Sequence, residues 1–244
     1  MSNGNRKILG VIGGLGPFAS AYFYDLINLH TQANSDQDHL DLVISSRAST
    51  PDRTGFIRGE NPESPGPVMA EEAKKLQAYG AGVLAITCNT AHYFYNEVAA
   101  AVQVPVLNMI ALTAQKAAHT GCKKLGLLAT SGTVGTGLYQ KTCADHGIEC
   151  MAPDAAGQQA LMEIIYDEIK AGRPADVEKF NALTDSLLNA GCQKFILGCT
   201  ELSLLKKAGH TGAQAIDTME VLAEAAITAC GGTPIGFDWP PCGV

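Results

Sequence analysis

"KILGVIGGLGPF", residues 7–18, is the stretch that decides the fold class. An apolar run is followed by a glycine turn, "GGLG", and then by Pro17, a residue favoured at the first position of a helix. This order predicts a strand over residues 7–12, a tight turn and a helix that begins at Pro17. A similar stretch, "KKLGLLATSGTV" at residues 123–134, predicts a second strand with "SGTVG" as its turn.

Short apolar runs alternate with amphipathic helical stretches along the rest of the chain, which is typical of an α/β fold with mostly parallel strands. Further strands are predicted over residues 40–46, 82–87, 104–109, 194–198 and 213–217. Helices are predicted over residues 67–80, 154–171, 175–190 and 218–230, with another that ends before Gly147. A long Gly/Pro-rich loop is predicted between the second strand and Pro67.

The two halves of the chain repeat one another faintly. "GAGVLAITCNTA" (80–91) resembles "AGCQKFILGCTE" (190–201), and "VLNMIALTAQKAA" (106–118) resembles "AIDTMEVLAEAAI" (215–227). With the two stretches quoted first, these make three matched landmarks in the same order, which indicates an internal duplication.

The duplication predicts two pseudo-symmetric lobes, each a mostly parallel sheet flanked by helices. The first lobe is expected to comprise residues 1–108 and 216–244, which include the closing helix, and the second lobe residues 109–215. Because equivalent strand ends of two facing lobes meet at one cleft, we expect the active site there.

Composition limits the function classes. The 244 residues are 46% hydrophobic and 17% charged, and their net charge is −7, which argues against a nucleic-acid or membrane partner. The N-terminal apolar stretch is too short for a signal-peptide core, and no run approaches membrane-spanning length. Eight cysteines without a CxxC pair are expected to be reduced. We therefore expect a cytoplasmic protein with a small-molecule ligand.

Cys88 and Cys199 occupy equivalent positions at the ends of two predicted strands. The carboxyl ends of parallel strands are where ligands bind, and the following residues of each can begin a helix, whose free N–H groups lower a thiol pKa. A single strand-end cysteine is more often a buried core residue. Two at matching positions favour a functional pair, and the other six are interpreted as structural.

Other motifs in the sequence give weaker indications of a functional site. Gly14, Gly16 and Ala19 form a GxGxxA pattern, but the second strand ends without the carboxylate that a dinucleotide ribose needs, so a tight turn near a small ligand is favoured. His92, four residues after Cys88, could be a base for the thiol, but a packing or capping role is favoured, and the ligands for a zinc site are too few. A GxSxG hydrolase elbow is absent from the sequence.

Taken together, several segments resemble the aspartate racemase branch of the aspartate/glutamate racemase superfamily. These segments are "ILGVIGGLGP", "PDRT", "CNTAH", "VPVLNMI", "GLLATSGT", "IYDEIKAG", "LGCTEL" and "IDTMEVLAE". The resemblance covers nearly the whole chain in the family's order. It implies a cofactor-independent, two-lobed α/β enzyme, commonly a homodimer, with no metal and with its site between the lobes.

The resemblance also implies the roles of individual residues. Cys88 and Cys199 would be the acid and base on opposite faces of the substrate's α-carbon. Arg53 of "PDRT" and Lys170 would bind the distal carboxylate, although on local grounds each is an ordinary surface cation. The other implied substrate-binding residues are Asp52, Thr54, Asn89, Thr90, Ala91 and Thr200, with Gly14, Thr130 and Ser131 at the floor of the cleft.

One segment departs from the family pattern. Where typical aspartate racemases have Asn-x-Pro before "PDRT", this chain has "SSRAST", and its Arg47 would add a second cation. The expected function is therefore racemisation of an acidic amino acid, aspartate first. Glutamate or a broader set of amino acids stays open, as does a carboxylate-binding protein of the same fold without turnover. A dinucleotide-dependent oxidoreductase is disfavoured.

Overall fold

The computed structural model describes residues 6–237, which contain two parallel sheets. The strands of the described residues are β1 (Ile8–Gly13), β2 (Leu42–Ser46), β3 (Ala81–Ile86), β4 (Lys124–Leu128), β5 (Glu149–Met151), β6 (Lys194–Leu197) and β7 (Ala215–Asp217). The first sheet has the order β2-β1-β3 and the second the order β5-β4-β6-β7. All pairings between these strands are parallel, so the carboxyl ends within each sheet lie at one edge.

Helices connect the strands and cover the sheets. They are α1 (Pro17–His30), α2 (Arg53–Ile57), α3 (Gly66–Tyr79), α4 (Tyr95–Ala100), α5 (Met109–His119), α6 (Ser131–Thr136), α7 (Leu138–Asp145), α8 (Ala155–Met162), α9 (Val177–Asn189), α10 (Ser203–Lys207) and α11 (Thr218–Ala229). Two 3-10 helices, Asp36–Asp38 and Thr90–Phe94, and a π-helical segment, Glu163–Ile169, complete the set. Every helix in the described part of the chain is too short or too polar to span a bilayer.

Alternating residues of β1 bury both faces of the first sheet. Leu9 and Val11 pack with Phe23 of α1 in a core that also contains residues of α11. Ile12 points to the opposite face, where Met69 of α3 belongs to the same core. This two-residue period places one layer of helices on each side of the sheet.

The second sheet follows the same plan. Leu125 and Leu127 of β4 share a core with Tyr139 of α7, while Leu128 shares the opposite core with Phe180 of α9. Each fully buried side chain of this size contributes about 1.5–3 kcal/mol. Helices on both faces of two parallel sheets confirm the predicted α/β fold.

The matched glycines of the two halves serve the same purpose. A Cβ on Gly10 would lie 2.5 Å from a Leu84 side-chain atom, and one on Gly126 would lie 2.6 Å from Leu187 of α9. In both sheets the missing side chain lets neighbouring elements approach the central strand. The duplication seen in the sequence is therefore also a repeat of packing.

Three local predictions were wrong. Residues 104–109 do not form a strand but a single bridge, Leu84 to Val106, because Pro105 has no N–H to donate and Asn108 already caps α5. The predicted turn "SGTVG" is the short helix α6, capped by the Thr130 side chain. The long loop after β2 contains α2, whose first turn is capped by Asp52.

The closing helix α11 packs against α1 and α5, and the boundaries of the two predicted lobes stay a prediction. Part of the Gly/Pro-rich tail lies along the end of α1, where Gln32 N donates to Thr233 O at 2.9 Å and Ile235 N donates to His30 O at 2.9 Å. Residues 1–5 and 238–244 of the predicted first lobe, with Cys242, lie outside the described residues.

Candidate active site

Cys88 and Cys199 line the same cavity, although they come from different sheets. Cys88 follows β3 and Cys199 follows β6, so both lie at the carboxyl edge of their sheet. Both are buried, with 7% and 5% of their surface exposed. The cavity between them, which we call the inner cavity, has a volume of about 10 Å³, the room of about one water molecule.

Most of the residues expected at the site form the wall of the inner cavity. Besides the two cysteines they are Asp52, Arg53, Thr54, Asn89, Thr90, Thr130, Lys170 and Thr200. Gly14 lies instead in the wall of a neighbouring outer cavity of about 380 Å³. The wall of neither cavity includes Ala91, whose side chain is buried in the first-sheet core, or Ser131, the first residue of α6.

His92 fixes the loop that carries Cys88. Its Nδ1 lies 2.9 Å from the Cys88 carbonyl oxygen, and the Met109 N–H donates to its Nε2 at 3.0 Å. Since Nε2 accepts, the proton of the neutral ring is on Nδ1 and is donated to Cys88. Burial lowers the pKa of His92 to about 4, so the ring is neutral at pH 7. This geometry gives His92 a structural role, as the sequence favoured.

The residues after Cys88 hold the two halves together. Asn89 donates through Nδ2 to Thr218 Oγ1 at 3.0 Å and accepts from the Tyr139 hydroxyl at 2.5 Å. Thr90 Oγ1 lies 3.0 Å from Thr130 Oγ1 and 2.8 Å from Thr133 Oγ1. These side chains therefore anchor the Cys88 loop to elements that follow β4 and β7.

We call the two sides of the inner cavity that carry the thiols the Cys88 wall and the Cys199 wall. On the Cys199 wall, the carboxylate of Glu201 lies beside the sulfur. Its Oε2 accepts from the Cys199 Sγ at 3.0 Å, and its Oε1 lies 3.8 Å from Lys170 Nζ. Burial raises the pKa of Cys199 well above its ordinary value, the Glu201 carboxylate raises it further, and Lys170 opposes both. Burial by itself would lower the pKa of Lys170, but Glu201 and the nearby thiols raise it above its ordinary value.

The glycine turn after β1 fits closely against its surroundings. A Cβ on Gly14 would lie 2.4 Å from the Arg47 backbone nitrogen, and one on Gly16 would lie 2.2 Å from Glu201 Oε1. Both glycines have positive φ angles, +75° and +152°, that favour glycine. In this structure the turn therefore makes room for a neighbouring loop and for the Glu201 carboxylate.

Arg53 is buried in the cavity wall and is largely engaged by backbone. Its guanidinium donates to the carbonyl oxygens of Thr50 (3.2 Å), Pro51 (3.0 Å) and Leu15 (2.8 Å). Within residues 6–237 its Nε has no hydrogen-bond partner. Arg53 thus joins the turn after β1 to the loop before α2, and its Nε donor is not used by these contacts.

The expectation that Arg47 adds a cation to the cleft is wrong. Arg47 Nη1 pairs with Glu72 of α3 at 2.8 Å, and the same carboxylate accepts from Ser45 at 2.6 Å and Lys75 at 3.0 Å. Because this network holds its guanidinium, Arg47 is in the wall of neither cavity.

Sequence reasoning missed two residues that line both cavities, Tyr166 and Glu201. Lys170 Nζ lies 4.6 Å from the centroid of the Tyr166 ring. The spacing of four residues on a helical pattern could have indicated this neighbour. Glu201 stands two residues after Cys199 in "GCTE", and only the folded loop shows that its carboxylate turns back to the sulfur.

The inner cavity and the residues of its wall are those expected of an enzyme that uses a general acid and a general base. Two buried thiols face one small space between two α/β sheets, beside a lysine, where they can act as acid and base on a single molecule. Within the described residues no cluster of three or more His, Cys, Asp or Glu side chains is arranged to hold a metal ion.

The chain belongs to the Asp/Glu/Hydantoin racemase family, whose pattern matches residues 12–226. The enzyme class expected from the sequence, an amino-acid racemase and hence an isomerase, is confirmed, and independence of pyridoxal phosphate fits this family.

Solved structures and sequence relatives agree with this membership. The aspartate racemase of Picrophilus torridus superposes with a TM-score of 0.80 at 30% identity, over 94% of this chain and 96% of that one. An aspartate racemase homologue from Pyrococcus horikoshii gives a TM-score of 0.74 at 27% identity, over 92% and 99%. The broad specificity amino-acid racemase RacX of Bacillus subtilis is 28% identical over 91% of this chain and 97% of its own length.

Proposed function

We propose that this racemase acts on an acidic amino acid, aspartate first, and that Cys88 and Cys199 are its two bases. The observation that supports this most is that two thiols from separate sheets line one inner cavity together with Lys170. One base cannot reach both faces of a fixed α-carbon, so racemisation without substrate rotation needs a group on each wall.

In the proposed reaction a thiolate on one wall removes the α-proton and the thiol on the other wall delivers a proton. The intermediate carries extra negative charge on its α-carboxylate, so the site must place donors there. The peptide N–H groups of Thr90 and Ala91 stand at the start of a 3-10 helix, where N–H groups lack partners within the helix. We assign the α-carboxylate to them and to the Thr200 hydroxyl.

Lys170 supports an acidic substrate. Its side chain is three-quarters buried and lines both the inner and the outer cavity, where a distal carboxylate would be desolvated and paired. Because the inner cavity has room for about one water, we propose that the substrate enters from the outer cavity and that Glu201 and Tyr166, which line both, move aside.

A broader specificity is the second candidate. Lys170 is already paired with Glu201, and three N–H groups of Arg53 donate to backbone carbonyls, so few cationic donors of the cleft are free to bind a distal carboxylate. The similarity to RacX, a broad specificity racemase, points the same way. Glutamate is included, since glutamate racemases are among the relatives, for example that of Shewanella loihica at 30% identity over 52% of this chain.

The test is α-proton exchange in D2O with each enantiomer of aspartate, glutamate, alanine and lysine, followed by NMR and chiral chromatography. We expect α-deuterium and inversion with aspartate at the highest kcat/KM. Faster turnover of lysine or alanine would replace the acidic substrate by the broader set. Exchange with none of the eight compounds would contradict the proposed function.

The family resemblance also motivates two proposals about the whole protein, a homodimer and a cytoplasmic location. Light scattering of the purified chain is expected to give twice the 25.5 kDa chain mass. A mass of one chain at micromolar concentration would contradict the homodimer.

A further inference from the structure

Glu201 makes contacts to both halves of the chemistry, the thiol and the lysine. Its Oε2 lies 3.0 Å from Cys199 Sγ and 3.3 Å from Thr200 Oγ1, while Oε1 lies 3.8 Å from Lys170 Nζ. Glu201 is 3% exposed, so solvent does little to screen these contacts. The same carboxylate thus connects the cation of the cleft to one of the two sulfurs.

The short contact and the nearby ammonium group together indicate which partner carries the proton. With the Lys170 ammonium 3.8 Å from Oε1 as its counter-charge, the Glu201 carboxylate is the hydrogen-bond acceptor, so a contact of 3.0 Å to sulfur needs an S–H donor. A thiolate at the same distance would face a negative oxygen in a buried site, which is strongly unfavourable. The geometry is therefore that of a Cys199 thiol donating to Glu201.

The surrounding elements hold the carboxylate in this place. Gly16 leaves room for Oε1, since a Cβ there would be 2.2 Å away. Lys170, at the end of the π-helical segment, supplies the counter-charge. The other titratable or charged groups in the wall of the same cavity are Cys88 on the opposite side, Tyr166 of the π-helical segment, and Asp52 and Arg53 at the start of α2.

The opposite wall has no equivalent arrangement. Within residues 6–237 no carboxylate is hydrogen-bonded to the Cys88 sulfur, and the loop that carries it is held by the neutral His92. The two thiols are equivalent in the duplicated sequence but differ in charge environment.

Resting on the proposed function, we propose that Glu201 is a positioning residue that keeps Cys199 in its thiol form in the free enzyme. The resting enzyme then stores its proton on the Cys199 wall and delivers it to the substrate carbanion that forms when the Cys88 thiolate takes the α-proton. After this half-cycle Cys88 carries the proton and Cys199 is the thiolate. Before the next turnover in the same direction Cys88 releases its proton to solvent and Cys199 takes one from solvent, which restores the resting form and balances the protons.

Glu201→Gln tests this directly, since it keeps the size of the side chain and removes the charge. The rate of iodoacetamide alkylation of Cys199 is measured against pH by peptide mass spectrometry, with Cys88→Ala as the background of every variant. Loss of the adjacent negative charge is expected to lower the pH midpoint of Cys199 alkylation by about one unit or more. An unchanged midpoint in the folded variant would overturn the proposal.

Two further variants keep the result interpretable. Glu149→Gln removes the same charge from a surface ion pair with Lys124 (3.2 Å), and we expect no shift of the midpoint; a shift as large as that of Glu201→Gln would overturn the specific role. Should circular dichroism show that Glu201→Gln does not fold, Glu201→Asp decides. Its shorter side chain moves the carboxylate away from the Cys199 sulfur, so the pH midpoint of Cys199 alkylation is expected to fall by a smaller amount.

Turnover supplies a second readout in enzyme with both cysteines. Because the two enantiomers have equal free energy, kcat/KM must remain equal in the two directions in every variant. Glu201→Gln is expected to change the two kcat values by different factors, whereas a loss of folded protein lowers both alike. A wild-type enzyme without any turnover would end the proposed function but not this proposal, since alkylation needs no reaction with substrate.

Discussion

The Cys88 wall and the Cys199 wall come from the same strand-end pattern but are built with different electrostatics. On the Cys88 wall a neutral, buried His92 donates to the Cys88 carbonyl and accepts from Met109. On the Cys199 wall the Glu201 carboxylate contacts the thiol itself and pairs with Lys170. Duplication of a fold therefore preserves where a thiol is placed without preserving the charged groups beside it.

The largest expected effect comes from removing either thiol. Cys88→Ala and Cys199→Ala are each expected to reduce racemisation of aspartate by about 10²–10⁴-fold, the usual contribution of a general acid or base. Cys150→Ala, which removes a thiol of β5 away from both cavities, is the matched control and should keep the wild-type rate. Full activity of Cys88→Ala or Cys199→Ala would show that the cysteine removed is not a catalytic base.

Lys170→Met sharpens the comparison by removing the cation of the Cys199 wall. We expect KM for aspartate to rise about tenfold or more, because a buried charge-assisted contact is worth 1.5–3 kcal/mol. A neutral amino acid, if it is turned over, should be affected less. Steady-state kinetics with Lys179→Met, which removes a lysine outside both cavities, is the control. An unchanged KM for aspartate would remove Lys170 from substrate recognition.

The pH dependence of the free energy of unfolding should show the contribution of His92, which holds the loop that carries Cys88. Burial lowers the pKa of His92 to about 4 in the folded protein, below its ordinary value of 6.5. The unfolded chain thus binds the proton more readily, and stability present above pH 6.5 is lost as the pH falls towards 4, by up to about 3 kcal/mol.

His92→Asn should remove this loss of stability between pH 6.5 and 4. Urea unfolding of the wild type and the variant between pH 4 and 7 isolates the contribution, because all other groups cancel in the difference. The variant is also expected to be less stable at pH 7, since it weakens two buried hydrogen bonds. A difference that does not change with pH would mean that His92 is not buried and neutral.

Asp217, which caps the helix after β7, is expected to give the free energy of unfolding a pH dependence opposite in sign to that of His92. Asp217 caps α11 and accepts from Ser203 at 2.6 Å, and burial followed by repulsion from Glu220 raises its pKa to about 6. A carboxyl with a raised folded pKa stabilises below its unfolded value of 3.8, and this stability is lost as the pH rises through 6.

Asp217→Asn should therefore abolish a decline in stability between about pH 4 and 6. The expected size of this decline in the wild type is up to about 3 kcal/mol, and the variant separately loses the contribution of a charged helix cap. The same urea titration measures it. A wild-type-like decline in the variant would assign the slope to other groups.

The sequence predicted the fold and the placement of the two cysteines because both follow from local patterns, whereas Arg53, Lys170 and the other predicted residues of the inner cavity were expected from the family resemblance. Apolar runs, glycine turns and Pro17 define β1 and α1, and the repeat of "CNT" and "GCT" brings Cys88 and Cys199 to equivalent sheet edges. Residues 104–109 failed as a strand because cap chemistry at Asn108 and the missing N–H of Pro105 outweigh their apolar pattern.

What the sequence did not predict depends on long-range placement. Arg47 faces Glu72, a residue of a helix that follows a long loop, and so it does not reach the cleft. Glu201 turns back to Cys199, and Gly16, in the turn that follows β1 of the other sheet, leaves space for its carboxylate. Neither contact leaves a periodic signal along the chain.

The most direct test of the two-wall account is the position of solvent deuterium at early times of racemisation in D2O. If Cys88 and Cys199 act on opposite faces, the product enantiomer forms with α-deuterium while the recovered substrate enantiomer keeps its α-proton. Deuterium at comparable levels in both enantiomers at initial rate, or a product that retains the substrate's own proton, would contradict two bases on two walls.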